Sequence, residues 1–192
     1  MLDWLLELDR DVFVYLNSFG SEAYDGLWSF ITKQLHWTPV FLFLLYLTVK
    51  KFGWKQTALI ILMIAVLIAF TDQTTNLFKK GFQRLRPVNN PEIAGFIRAV
   101  QHRSSFSFIS GHASNSMAAA FFLYKVLKPH YKYMGFIFLW PFIFAYSRIY
   151  LGLHYPGDIL AGFLWGLFTS SLILMLYKYL KERYMPEGES LK

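Results

Sequence analysis

The chain has 192 residues, of which 55% are hydrophobic and only 16% are charged, so it is too apolar for an ordinary soluble domain. The formal net charge is +7, but the basic residues are dispersed between apolar stretches, which favours phosphate or anionic lipid over nucleic acid as a partner. Cysteine is absent, which excludes disulfides, thiolate metal sites and a cysteine nucleophile.

The N-terminal part, residues 1–35, predicts one or two helices that lie in the membrane interface. Apolar residues recur there at helical spacing, with acidic residues among or opposite them: Leu2, Leu5, Leu6, Val12, Phe13 and Leu16. A second amphipathic piece covers about residues 24–33, after a break at Gly20-Ser21. The first residues carry no basic region ahead of an apolar stretch, so we predict no signal peptide.

Residues 36–180 predict a transmembrane core, because a helix that crosses the bilayer needs about 20 mostly apolar residues. Five apolar stretches qualify, at about residues 38–49, 54–79, 111–128, 133–150 and 156–177. Residues 181–192 are predicted to be a polar tail. The predicted fold class is all-α, a polytopic integral membrane helix bundle with about five transmembrane helices plus the N-terminal interfacial helices, in a single domain over residues 1–192.

The loop at residues 81–110 is the only long connection inside this predicted core, and loops of that length usually carry function. Lysines and arginines are divided almost evenly between the two predicted sides of the membrane. If Lys79, Arg86 and Arg148 are held in a site, the remaining bias predicts that this loop faces away from the cytoplasm.

Ionisable residues at membrane depth are functional candidates, because they are costly to place there. They form three groups in this chain: Lys79 with Arg86 and Pro87, then Ser110-Gly111-His112, then Ser147-Arg148 with His154 and Asp158. Successive spanning helices run in opposite directions, so all three groups should meet at one membrane face.

A phosphoryl group would give each member of these groups a role. Arginine and lysine side chains, from Lys79, Arg86 and Arg148, would bind the phosphate oxygens. At the N-terminus of a helix, Ser110 would add a hydroxyl and Gly111 a backbone N–H that points at the anion.

The two histidines have complementary predicted roles. His154 and Asp158 are four residues apart at a predicted helix start, so the carboxylate can orient the imidazole. His154 is the predicted nucleophile, which would form a phosphohistidine intermediate. His112 would protonate the leaving oxygen and then activate water. This chemistry predicts no metal and no cofactor.

The spacing of these groups resembles the three-part signature of the type 2 phosphatidic acid phosphatase family, whose superfamily includes vanadium haloperoxidases. The resemblance covers about residues 72–162, with one departure: Ile109 stands where the family usually has proline before Ser-Gly-His. It implies a bacterial inner-membrane enzyme that acts on a lipid phosphate or diphosphate, and the charge bias described above predicts that its site faces the outer, periplasmic side. The candidate substrates are undecaprenyl diphosphate, phosphatidate, phosphatidylglycerol phosphate, a lipid A phosphate or a smaller diphosphate.

Other interpretations remain open. Singly, each group has a structural explanation, such as a lysine anchor at the head groups, a serine helix cap or a buried ion pair. A transport or lipid-binding protein would use the same cations without needing the His154–Asp158 pair. A haloperoxidase would need vanadate, and its relatives are soluble. His102 and Arg103 are interpreted as solvated loop residues, ahead of a contact with the substrate head group.

Overall fold

A computed structural model describes residues 2–185, which form an all-helical bundle with no β-strand in that range. The α-helices are α1 (Leu2–Ser18), α2 (Glu22–Ile31), α3 (Thr38–Phe82), α4 (Gly111–Leu127), α5 (Leu139–Tyr150) and α6 (Pro156–Tyr184). Short 3-10 segments occur at Gln34–Trp37, Pro87–Asn89 and Met134–Phe138. The predicted all-α fold class is confirmed.

Helix α3 is a hairpin with two arms that meet at Gly53, where the backbone has φ +69° and is not helical. Phe41 and Ile68 line one cavity, although a straight helix would place them about 40 Å apart at 1.5 Å per residue. The arms therefore fold back on each other at Gly53, between the first two predicted spans. Glycine suits this position because a positive φ is costly for other residues.

Two helical stretches within residues 2–185 are long and apolar enough to cross a membrane, Gln34–Asn89 and Pro156–Tyr184, with mean hydropathies of 1.9 and 2.1 over an apolar window of 18 residues in each. A shorter apolar helix covers Met134–Tyr150. It begins as a 3-10 segment and becomes α-helical only at Leu139, shortly before Pro141, which is tolerated in a first turn because proline lacks an N–H.

The last helix extends beyond the predicted end of the last span, at about residue 177, and into the predicted polar tail, residues 181–192. Helix α6 continues to Tyr184 with Lys181 and Arg183 in its last turn. Basic side chains there stabilise a helix, because they lie at the negative end of its dipole. The rest of the predicted tail, residues 186–192, lies outside the described residues.

Helix α4 lies at the centre of the bundle and packs closely against α6. Gly162 and Gly166 of α6 lie against the backbone of α4, where a Cβ on Gly162 would be only 2.8 Å from the Ser110 carbonyl oxygen. Small residues allow helix backbones to approach in this way. The close contact fixes the N-terminus of α4 beside the first turns of α6.

Helix α1 packs against the core through only part of its predicted apolar face, together with a polar residue. Leu5, Leu6 and Val12 are exposed, whereas Phe13 and Asn17 are fully buried. The Asn17 amide donates to the carbonyl oxygens of Ile149 (3.0 Å) and Tyr150 (3.1 Å) at the end of α5. Part of the apolar stripe of α1 is thus left facing outward, and the N-terminal helices are attached to the same end of the bundle as the predicted site.

Candidate active site

The ends of four helices converge at one face of the bundle and bring the three predicted groups together. Ser110, before α4, donates its backbone N–H to the carbonyl oxygen of Asp158 in α6 (3.0 Å). The backbone N–H groups of Leu153 and His154 donate to the Arg148 carbonyl at the end of α5 (2.9 and 3.3 Å). The loop at 83–110 folds over these ends.

His154 and Asp158 are buried side by side, as their spacing predicted. Asp158 is the N3 residue of α6, and its Oδ2 accepts the Tyr155 backbone N–H (3.0 Å). The Nδ1 of His154 lies 3.4 Å from the same oxygen, yet it has no aligned hydrogen-bond partner among the described residues. A proton on Nδ1 faces the carboxylate, which leaves the Nε2 lone pair directed away from Asp158.

Arg86 holds the other side of the His154 ring. Its Nη1 lies 3.0 Å from His154 Nε2 and also donates to the Leu153 carbonyl (2.8 Å). Its Nε and Nη2 donate to the carbonyl and hydroxyl of Ser105 (2.7 and 2.9 Å). Burial lowers the pKa of Arg86 to about 10, which leaves the guanidinium charged at neutral pH. A cation is thus fixed beside the predicted attacking atom.

Burial, reinforced by the positive charges of Arg86 and Arg148, holds the pKa of His154 well below its ordinary value. Desolvation disfavours the imidazolium, and nearby cations disfavour it further. His154 is therefore neutral at physiological pH, the protonation state that a nucleophilic imidazole requires.

The other two predicted cations approach the site from α5 and α3. Arg148 is buried and donates from Nη1 to the Thr32 hydroxyl (2.6 Å), while its Nε has no hydrogen-bond partner within residues 2–185. A buried donor of this kind is costly unless a ligand satisfies it. The Lys79 Nζ would be 3.7 Å from a Cβ on Gly111, which places the lysine beside the N-terminus of α4.

The first turn of α4 completes the predicted group. The Ser110 hydroxyl accepts the Ala113 N–H (3.4 Å) as the helix cap, and its own proton can still be donated. The His112 ring stacks on Phe144, with ring centroids 5.0 Å apart and an interplanar angle of 22°. This contact fixes the plane of the second histidine. His102 and Arg103 are exposed in the loop, as their interpretation predicted.

Two charged residues that were not predicted from the sequence lie next to the His154–Asp158 pair. Arg84 donates to Asp158 Oδ1 (2.8 Å) and to Asp9 Oδ2 (2.8 Å). Asp9 also accepts the Gly157 backbone N–H (2.7 Å). One signal for Asp9 was present in the sequence, because Asp9, Phe13 and Asn17 recur every four residues and share a helix face.

An apolar cavity of about 560 Å³ opens from the site between the two arms of α3. Its polar end is formed by Lys79, Gly111 and His112. Its apolar walls come from both arms of α3 and from α4 and α5: Phe41, Leu44, Ile60, Ile64, Ala119 and Trp140. The cavity thus joins an apolar channel to one cation and one histidine of the predicted group, Lys79 and His112.

The fold and the site thus define the class of protein as a membrane helix bundle with a cluster of buried ionisable side chains at one end, beside an apolar cavity. The comparisons with known proteins name the family. Residues 57–182 match the family model described as the PAP2 superfamily. The chain belongs to this superfamily, and it is a membrane phosphatase of the PAP2 type, as the sequence predicted.

The similarity to known proteins extends beyond residues 72–162, the region that contains the motifs. A lipid A 4'-phosphatase of Bacteroides thetaiotaomicron is 36% identical, over 95% of this chain and 83% of that protein. A lipid A 4'-phosphatase of Porphyromonas gingivalis is 26% identical, over 96% of this chain and 79% of that protein. The crystal structure of a transmembrane PAP2 type phosphatidylglycerolphosphate phosphatase from Bacillus subtilis has a TM-score of 0.67 at 22% identity, covering 94% of this chain and 87% of that one. It shows that the fold is shared.

Proposed function

We propose that this protein removes a terminal phosphate from a membrane lipid through a phosphohistidine intermediate on His154. The observation that carries the proposal is the buried His154–Asp158 pair, in which Nδ1 of His154 faces the carboxylate and Nε2 lies 3.0 Å from the Arg86 guanidinium. A site that only held phosphate would need the cations but not an oriented, neutral imidazole.

In the first step, the His154 Nε2 lone pair attacks phosphorus and the P–O bond to the lipid breaks. The departing oxygen takes a proton from His112. In the second step, His112 removes a proton from water, the water oxygen attacks phosphorus and the P–N bond breaks. Inorganic phosphate leaves, and both histidines return to their starting protonation states. Arg86, Arg148 and Lys79 stabilise the negative charge on the phosphoryl oxygens in both steps.

A lipid is the substrate class that the cavity favours. The apolar channel between the arms of α3 meets the phosphate site at His112 and Lys79, so an acyl chain can remain in an apolar environment while its phosphate reaches the cations. Among lipid phosphates we place the 4'-phosphate of lipid A first, because two relatives with that name match nearly the whole chain. Phosphatidylglycerol phosphate, phosphatidate and undecaprenyl diphosphate are the competing substrates.

We further propose that the protein lies in a bacterial inner membrane with its site on the outer, periplasmic face. When Lys79, Arg86 and Arg148 are counted as site residues, the remaining lysines and arginines are more numerous at the opposite end, around the Gly53 turn and at the end of α6. Excess lysine and arginine mark cytoplasmic loops.

The test measures phosphate release in detergent from a panel of these lipid phosphates, with EDTA present. We expect release from lipid A 4'-phosphate and its complete loss in His154→Ala. The matched control is His130→Ala, since His130 packs on Phe52 beside the Gly53 turn, far from the site. Release that survives His154→Ala, or binding of lipid phosphate without release by either protein, would overturn the proposed mechanism.

A further inference from the structure

The N-terminal helix reaches the predicted nucleophile through an unbroken chain of charged contacts. Asp9 of α1 holds Arg84, Arg84 holds Asp158 Oδ1, and Asp158 Oδ2 faces Nδ1 of His154. Asp9 and Arg84 are 75 residues apart in sequence and Arg84 and Asp158 are 74 apart, so only the tertiary fold brings them together.

The geometry points to Asp9 and Arg84 as positioning residues for the proposed reaction, which act through Asp158 on the orientation and charge state of His154. This inference rests on the proposed function. It assigns a role in the chemistry to α1, a helix that lies outside the three-part motif and outside residues 57–182.

Arg84 is confined on every side, which suits it to hold a carboxylate in place. Its side chain is 19% exposed, against 14% for Asp9 and 0% for Asp158. The guanidinium also lies over the Tyr155 ring, 3.9 Å from its centroid. Burial opposes the charge, but the carboxylates of Asp158 and Asp9 raise the pKa of Arg84 above its ordinary value, so the cation is permanent.

Asp9 fixes this arrangement from two directions. While one oxygen binds Arg84, the other accepts the Gly157 N–H in the first turn of α6. A Cβ on Gly157 would lie 2.7 Å from the Asp9 carboxylate, so a side chain at this position would displace that carboxylate. Since Gly157 precedes Asp158, Asp9 sets the position of Asp158 both through Arg84 and through the backbone.

The charged groups around the His154–Asp158 pair come from every neighbouring element. They are Asp9 from α1, Lys79 from α3, Arg84 and Arg86 from the following loop, His112 from α4 and Arg148 from α5. Arg84 is the member that binds the Asp158 carboxylate directly, so replacing it changes the charge that His154 experiences through its orienting partner.

The test compares Arg84→Gln, Arg84→Lys and Asp9→Asn with the native protein by pH profiles of kcat and kcat/KM for phosphate release. We expect Arg84→Gln to lower kcat by about 10–100-fold, the range for loss of an orienting outer group, with KM changed by no more than about twofold. The acid limb of its profile should shift to higher pH by about 1 unit, because a lost cation makes the pair easier to protonate. Arg84→Lys keeps the charge and should restore the acid limb.

Asp9→Asn keeps an oxygen that can accept the Gly157 N–H but loses the ion pair with Arg84. We therefore expect kcat to fall and KM to remain unchanged. The matched control is Asp11→Asn on the exposed side of the same helix, which should leave both unchanged. Lower yield of folded protein with an unchanged pH profile and unchanged kcat per folded molecule would overturn the positioning role and leave the proposed function intact. Failure of the proposed function would be seen separately, because the native protein would then show no phosphate release that depends on His154.

Discussion

Two neighbouring lysines at the end of α3 differ in what surrounds them. Lys79 lines the cavity beside Gly111 and His112, whereas Lys80 is exposed. The sequence distinguished them only by the spacing to Arg86. Position in the fold therefore separates a cation that can reach a phosphate from one that meets the membrane surface.

This difference predicts the outcome of a paired substitution. Lys79→Ala should reduce kcat/KM for phosphate release by about 10²-fold, because a fixed cation at the phosphoryl oxygens is removed. Lys80→Ala, with the same change of net charge one residue away, should stay within about twofold of the native protein. Equal losses in the two variants, measured by initial rates at several substrate concentrations, would show that general surface charge rather than the site is responsible.

At the scale of the elements, the contact between α4 and α6 positions the site. Both helices begin at the site, α4 with Ser110 as its cap and α6 with Asp158 in its first turn, and the Ser110 N–H donates to the Asp158 carbonyl. The glycines of α6 allow this approach. A larger residue there would separate the two groups of site residues.

Gly166→Ala should therefore destabilise the protein. A Cβ on Gly166 would collide with the Ser114 carbonyl oxygen and lie 3.0 Å from the Ala118 nitrogen, both of them backbone atoms that cannot move independently. We expect a loss of about 1–3 kcal/mol, as for other overpacked contacts, seen as a lower Tm in detergent. Gly81→Ala is the matched control, because a Cβ on Gly81 meets nothing within 4 Å. An unchanged Tm for Gly166→Ala would contradict the close packing.

At the scale of the whole molecule, a polar contact attaches the N-terminal helices to the long loop. Arg98 of the loop pairs with Asp25 of α2 (3.0 Å), and the Tyr150 hydroxyl at the end of α5 donates to the same carboxylate (2.8 Å). The hydrogen bond from Arg98 lowers the pKa of Asp25 below its ordinary value. The ionised carboxylate therefore stabilises the folded state.

The sign of this linkage gives a pH prediction. Because the folded pKa of Asp25 is depressed, its contribution is fully present above the unfolded pKa of about 4 and is lost as pH falls through the folded pKa. The native protein should thus have a higher Tm than Asp25→Asn at pH 6, and the difference should shrink below about pH 4. Glu22→Gln, an exposed change on the same helix, should show no such convergence. A Tm difference between native and Asp25→Asn that stays constant with pH would refute the linkage.

The sequence by itself determined the all-helical membrane class and the family. An apolar run of sufficient length favours the bilayer whatever the rest of the chain does, so the membrane class can be predicted from the sequence. The family can be predicted as well, because its motif is a spacing along the chain, that of Lys79, Arg86, His112, His154 and Asp158. Alternating helix directions then require these groups to share one face. The predicted roles of these residues await the experiments above.

Only the tertiary structure decided which further residues join the site and which face of α1 is buried. The predicted apolar stripe of α1 is divided between two environments, since Leu5, Leu6 and Val12 are exposed whereas Phe13 is buried against the protein. A helix in the membrane interface can leave apolar side chains in lipid while it packs against protein. The contacts of Arg84 with Asp9 and Asp158 join segments that are far apart in the chain. The pattern of residues within one helix does not predict these contacts, because they depend on how whole helices pack against each other.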